Sequence, residues 1–284
     1  MKGIVTRVQA NLYKVKLEDK RTVECSAKGL LKYKKMSILV GDMVEVNNNN
    51  VIDKVLPRKN SFIRPPIANV DQLIVVVAAT NPKPDLMLLD KQLVMAEKNN
   101  VEPIICVNKI DLEADYGEII EVYENIGYQV VTTTAKDGIG IDKIARILGN
   151  KITAFSGNSG VGKSALTNNI FNEEVSKEGE TSDKAQKGKH TTKHVELFDF
   201  SENSYIADTP GFSSFDVEGI NYKELDKYFI EFAPYISDCE YRSCTHIKEI
   251  NCGVKKAVSK RKIDKGRYER YVALFEKLKG DKKW

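Results

Sequence analysis

The chain has no run of about 18 apolar residues, so none of it is long enough to span a bilayer as a helix. Its start, Met1-Lys2-Gly3, carries no apolar leader stretch, and the expectation is a cytoplasmic protein without membrane partners. Charge of one sign is not in large excess either. Forty-four Lys and Arg against 40 Asp and Glu leave +4, which permits an anionic partner without demanding one. Cysteine is scarce, with five in 284 residues, and only Cys25 and Cys106 lie outside one short window. Both stand in apolar, strand-like contexts and read as buried small hydrophobes rather than reactive thiols. What remains is ordinary globular material. It is 42% apolar and 30% charged, long enough for two or three domains.

The chain is organised around Gly157-Asn158-Ser159-Gly160-Val161-Gly162-Lys163-Ser164, which fills the phosphate-loop pattern G-x-x-x-x-G-K-[ST]. Ile152 to Ser156 before it reads as a buried strand, and Ala165 to Phe171 after it as a helix. Glycine lets the backbone curl so that several amides face one phosphate chain, and the helix start adds partial positive charge. Lys163 would reach the β- and γ-phosphates, and the Ser164 hydroxyl would hold Mg²⁺.

Other motifs join it. Asn108-Lys109-Ile110-Asp111 follows an apolar strand as the NKxD pattern of guanine-nucleotide binders. The Asp111 carboxylate can accept from guanine N1–H and N2–H₂. Opposite adenine it would stay desolvated and unpaired. Asn108 would tie neighbouring loops together. Thr134-Ala135-Lys136 resembles the S-A-K loop that approaches the guanine oxygen. Asp208-Thr209-Pro210-Gly211 is the DxxG pattern, with Asp208 near Mg²⁺ and the Gly211 amide near the γ-phosphate. Glu173 to Lys189 is polar and glycine-containing and reads as mobile; it leads to His190-Thr191-Thr192. Either threonine is a candidate Mg²⁺ and γ-phosphate ligand, and counting as in small GTPases favours Thr192. Ordinary small GTPases start with the phosphate loop, whereas here NKxD and T-A-K precede it. The domain therefore reads as circularly permuted, a rearrangement that closely spaced termini tolerate.

The flanks differ in kind. Residues 1–65 read as short strands of a small barrel, with a basic loop, Lys28 to Lys35, of the sort that oligonucleotide-binding folds present to RNA. Asn47 to Asn50 reads as a hairpin end, and Pro57, Pro65 and Pro66 as a linker. Residues 66–217 alternate strands and helices, as a mostly parallel sheet requires. Residues 218–284 hold Cys239, Cys244, His246 and Cys252, a C-x4-C-x-H-x5-C set suited to a closed structural zinc site. Asp264 is a candidate cap for a helix with Tyr268, Tyr271, Leu274, Phe275 and Leu278 on one face. Lys255, Lys256, Lys260, Arg261, Lys262, Lys265, Arg267 and Arg270 give the region a basic bias, either a solvated face or a phosphate-contacting one.

Barrel, permuted GTPase domain and zinc module, in that order, resemble the RsgA (YjeQ/YloQ) family of ribosome-dependent GTPases over nearly the whole chain. The resemblance implies GTP hydrolysis to GDP and phosphate, stimulated by the small ribosomal subunit late in its maturation, with barrel and zinc domain gripping rRNA. GTP or GDP, Mg²⁺ and one zinc ion are the implied cofactors, and a monomer is expected. Two departures stand out. The family's R-H-T-T-T switch reads Lys189-His190-Thr191-Thr192-Lys193 here, and Phe212 follows DxxG where Ras-like enzymes place a water-orienting glutamine. The resemblance makes His190 the candidate for that water, alongside Lys163 and Thr192 as catalytic groups. A nucleotide-gated RNA-binding switch without appreciable turnover and a GTPase acting on another RNA, such as tRNA, remain alternatives.

Overall fold

The computed structural model describes residues 1–29, 37–112, 115–178, 195–208, 217 and 219–280, without the side chains of 172–178 and 208. The N-terminal strands are β1 (Lys2–Gln9), β2 (Leu12–Leu17), β3 (Thr22–Ala27), β4 (Met43–Val46) and β5 (Val51–Val55). They pair in the order β1-β2-β3-β5-β4, and β4 returns to β1, which closes the barrel. Alternation is the cause. Val5, Val15, Leu17, Val44, Val46 and Ile52 point inward and are buried, together with Cys25. The asparagine run turns β4 into β5, and Asn47 Oδ1 accepts from the amides of Asn49 and Val51. Most of the basic loop, residues 30–35, lies outside the described residues.

The proline-bearing stretch expected as a linker is packed instead. It carries a small hairpin, β6 (Ser61–Phe62) and β7 (Ile67–Ala68), whose Phe62 and Ile67 are buried. Arg58 donates to the buried carboxylate of Asp42 through Nε (2.7 Å) and Nη2 (2.8 Å), pinning this stretch to the barrel. Prolines mark interruptions of regular structure, and here apolar neighbours and one ion pair hold the interruption against the core.

The central sheet comprises β8 (Gln72–Ala78), β9 (Glu102–Asn108), β10 (Gln129–Thr133), β11 (Ile152–Ser156), β12 (Glu196–Ser201) and β13 (Ser204–Asp208), in the order β10-β9-β8-β11-β13-β12. The first five positions in that order are parallel, and β12 is antiparallel. β12 also meets β1 at Glu196 and Arg7, so barrel and central sheet are continuous. Every residue of β8 is buried, and its alternation feeds two cores. Leu73, Val75 and Val77 face helices α1 (Leu86–Lys98) and α2 (Gly117–Ile126). Ile74, Val76 and Ala78 face α3 (Ile141–Ile147) and α4 (Lys163–Glu178). Burying a leucine such as Leu89 or Leu93 of α1 contributes roughly 2 kcal/mol. Helix α4 runs to Glu178, so residues 173–178, expected as mobile, continue the helix. No glycine or proline interrupts them before Gly179.

The C-terminal module holds a 3-10 helix (Tyr222–Tyr228), then α5 (Ala233–Ile236), α6 (Gly253–Ser259) and α7 (Lys265–Gly280). Asp264 Oδ1 accepts from the Arg267 amide at 2.7 Å, the expected cap of α7. Leu225, Phe229, Phe232, Tyr271, Leu274 and Phe275 join the same core as α1 and α2, so the module docks on that face of the sheet. Two of its basic residues turn inward instead. Arg267 is fully buried and Arg270 half-buried, both ion-paired with Asp90 of α1. Arg267 lies four residues before Tyr271 and seven before Leu274, on the apolar stripe itself.

Candidate nucleotide site and metal centre

The topology gathers the motifs. Strands β10, β9, β8, β11 and β13 are adjacent and parallel, so their carboxyl ends share one edge. From that edge emerge Thr134-Ala135-Lys136, Asn108 to Asp111, the turn after β8, the phosphate loop and Asp208. Open parallel sheets bind ligands at such an edge.

Asn108 is the knot between three of these segments. Its Nδ2 donates to the Val161 carbonyl at 2.8 Å, and its Oδ1 accepts from Thr133 Oγ1 and the Ala135 amide, both at 3.0 Å. All of this is buried, so each bond replaces one that water can no longer supply. Lys109, in a left-handed conformation, donates its ammonium to the Asn81 carbonyl, and Asn169 of α4 donates to the Ala135 carbonyl. Asp111 is exposed at the loop's end.

The phosphate loop curls as its glycines require. Gly157 has φ +135°, and a Cβ there would lie 2.1 Å from the Val76 carbonyl oxygen. Gly162 has φ +98°, and a Cβ would lie 2.3 Å from Asn108 Nδ2. Lys163 Nζ donates to the carbonyls of Gly157 and Asn158 at 2.7 Å, which holds the ammonium over the loop. Burial pushes its pKa below the usual lysine range. Ser164 and Ala165 are exposed on the first turn of α4, and Ser159 and Gly160 are exposed at the loop's crest. His190, Thr191, Thr192, Gly211 and Phe212 lie outside the described residues, as does the side chain of Asp208. A separate cleft of about 790 Å³ lies between the barrel and β12–β13. Its lysines are already paired, Lys16 with Asp199 at 2.7 Å, Lys20 with Glu202 at 3.2 Å and Lys151 with Glu102 at 2.7 Å.

The four expected metal ligands converge. The sulfurs of Cys239, Cys244 and Cys252 and a ring nitrogen of His246 lie within 4.8 Å of one another. His246 turns Nδ1 toward Cys252 Sγ (3.4 Å) and Cys239 Sγ (3.6 Å), while Nε2 lies 3.7 Å from the Asp226 carboxylate. A carboxylate behind the ligating imidazole is the usual orienting partner. Amides of Gly253 and Lys255 point at Cys239 and Cys252 sulfurs from the start of α6. Burial and the two neighbouring cysteines push the Cys244 thiol up to about 12, while at Cys239 burial is outweighed by hydrogen bonds from the Gly253 and Val254 amides, which draw that thiol down. The donor set and its closure fit a structural zinc ion. Glu249 braces the loop. Burial would raise its carboxyl, but the Thr245 amide, the Thr245 hydroxyl and the Ile247 amide hold it at about 2. Tyr268 and Tyr271 of α7 donate to the carbonyls of His246 and Thr245 at 2.7 and 2.8 Å.

Sequence reasoning missed the buried cluster around Asp90 and the bond from Gln92 to Ser156 (2.7 Å). A signal existed. Asp90 sits four residues after Leu86 and three before Leu93, a charge on an apolar stripe.

Fold and site together define a GTP-hydrolysing enzyme of the circularly permuted phosphate-loop class. Residues 55–218 match the RsgA GTPase family, and residues 2–53 the RsgA N-terminal domain. The small ribosomal subunit biogenesis GTPase RsgA of Alkaliphilus metalliredigens is 41% identical over 291 residues, covering 100% of this chain and 99% of that protein. Its counterpart from Ruminiclostridium cellulolyticum is 41% identical, covering 98% and 93%. Among solved structures, YjeQ from Thermotoga maritima superposes with a TM-score of 0.86 at 36% identity, covering 98% of each chain. YloQ, a circularly permuted GTPase, gives 0.84 at 33%, covering 100% and 96%. The chain belongs to the RsgA family, which implies GTP, GDP and Mg²⁺ as its ligands.

Proposed function

We propose that this enzyme acts in small ribosomal subunit biogenesis, with its GTP hydrolysis stimulated by that subunit late in maturation. The observation that carries the reading is the single edge where guanine-reading, phosphate-binding and DxxG segments meet, tied by Asn108. The names of relatives matching at full length supply the biological setting. Asp111 reads guanine, the amides of residues 157–165 and the Lys163 ammonium hold the phosphates, and Thr134 and Ala135 flank the base. Ser164, Thr192 and Asp208 would hold Mg²⁺, which neutralises charge on the β- and γ-phosphates when bound. Water oxygen attacks the γ-phosphorus, the bond to the β,γ-bridging oxygen breaks, and the proton leaves with inorganic phosphate. His190 orients that water, because a neutral imidazole accepts a hydrogen bond and Phe212 cannot. Barrel and zinc module contact rRNA, and the enzyme works as a cytoplasmic monomer.

The test is multiple-turnover phosphate release with and without purified small subunits, with tRNA as the competing RNA. Stimulation by small subunits alone supports the reading. Equal rates in all three conditions sink it. His190→Ala should bind GTP about normally and lose roughly 10²-fold of the stimulated rate. A variant that keeps the wild-type rate with saturating subunits removes His190 from the mechanism.

A further inference from the structure

Helix α1 joins two places that the motifs leave unconnected. Toward the C-terminal module it presents Asp90, fully buried. Asp90 Oδ1 accepts from Tyr123 Oη and Arg267 Nη1, each at 2.5 Å, and Oδ2 accepts from Arg270 Nε. Arg267 also donates to Glu231 Oε1 at 2.8 Å, and its guanidinium lies 4.5 Å from the Phe229 ring centre. Two cations and two carboxylates thus neutralise one another, with Asp90 and Arg267 fully buried and Arg270 at the cluster's edge. Such a cluster tolerates little displacement, because every shift leaves charge unpaired in a medium of low dielectric.

Two residues along, Gln92 is buried and projects the other way. At 100° per residue the two side chains stand about 200° apart around the axis. Gln92 Nε2 donates to Ser156 Oγ, on the residue directly before Gly157 of the phosphate loop. The lead-in to α1 touches the same site, since the Asn81 carbonyl takes the Lys109 ammonium. Asp85 caps the helix by accepting from the Leu88 amide at 2.9 Å. One short rigid helix therefore carries a polar anchor to the docked module on one face and to the phosphate loop on the other.

We propose that α1 is a strut coupling the docking of the C-terminal module to the phosphate loop, with Asp90 and Gln92 as positioning residues. The proposal rests on the nucleotide reading of that loop. It adds a route separate from the direct chain connection after DxxG. Coupling between binding and docking is reciprocal. Nucleotide should tighten the module on the sheet, and a seated module should tighten nucleotide.

The test uses the full-length, zinc-loaded chain with GDP as probe, in four forms: wild type, Gln92→Met, Arg270→Met and the double variant. Gln92→Met removes the donor at nearly constant volume, and Arg270→Met leaves Arg267 on Asp90. In wild type, GDP should slow amide exchange in residues 265–280. In Gln92→Met that slowing should vanish while exchange without GDP stays as in wild type, an effect that mere loss of fold does not produce. Each single variant should weaken GDP by about 5-fold, and the double variant by the same total of about 5-fold rather than about 25-fold, since a broken strut cannot break twice. A 25-fold loss, or GDP-dependent slowing that survives in Gln92→Met, overturns the proposal. Should Arg270→Met unseat the module altogether, the exchange result on Gln92→Met decides alone. A wild type that does not bind GDP sinks the nucleotide reading and the strut with it. A wild type that binds GDP with no change in residues 265–280 sinks only the strut.

Discussion

The nucleotide site and the metal centre are assembled over very different spans of chain. The metal centre takes all four ligands from Cys239 to Cys252, whereas the nucleotide site draws on residues from Asn108 to Asp208. The first is a local loop that closes on an ion. The second exists only once five parallel strands stand side by side, and its geometry is backbone geometry, held by Asn108 and by glycines with no room for a Cβ. The difference teaches where each site is fragile. A local site depends on its ion, and a site built on topology depends on close backbone approach.

The sharpest way to break that comparison is to remove the metal. Structural zinc contributes on the order of 10 kcal/mol of apparent binding free energy in small modules. Cys244→Ser, or chelation of the wild type, should abolish stoichiometric zinc and expose the amides of 239–252. GDP affinity should fall by no more than the roughly 5-fold coupling through α1. Full zinc content in the purified variant would show that Cys244 is not a ligand.

The converse perturbation is Gly162→Ala. A Cβ 2.3 Å from Asn108 Nδ2, at φ +98°, forces apart the loops that Asn108 joins. Nucleotide affinity should drop by up to about 10²-fold, as strain of up to about 3 kcal/mol implies. Zinc content by elemental analysis should not change. A milder change tests the base. Asp111→Asn places an amide donor against guanine N–H groups and should cost about 2 kcal/mol of GTP affinity. The same variant should gain xanthosine triphosphate, and unchanged GTP binding in a titration would refute the guanine assignment.

The smallest effect lies back at the metal. Glu249→Gln weakens the brace on the Thr245 and Ile247 amides and should release zinc to a competing chelator a few-fold sooner, about 1 kcal/mol. The sign of its pH dependence follows from a carboxyl held at about 2, below its ordinary 4.5. Its contribution is complete above about pH 4.5 and is lost as pH falls toward 2. A variant that retains zinc as long as wild type at pH 7 would show that the brace does not matter.

The amino-acid sequence by itself determined the motif-bearing segments. Ile152–Ser156 is a strand residue for residue as expected, because a continuous apolar run between a turn and a glycine loop has one favourable fate. The convergence of Cys239, Cys244, His246 and Cys252 was equally legible, since thiols and an imidazole at short spacing have one common chemistry. Tertiary structure decided the rest. Arg267 and Arg270 counted as basic residues, yet Asp90, 177 and 180 positions earlier, draws them inside, and no local pattern encodes that partner. The prolines before β8 signalled a linker, but Phe62, Ile67 and the Arg58–Asp42 pair fold that stretch against the barrel. Local sequence sets which backbone states are cheap. Which polar groups are buried together depends on where the sheet and its helices bring distant residues, and only the folded chain determines that.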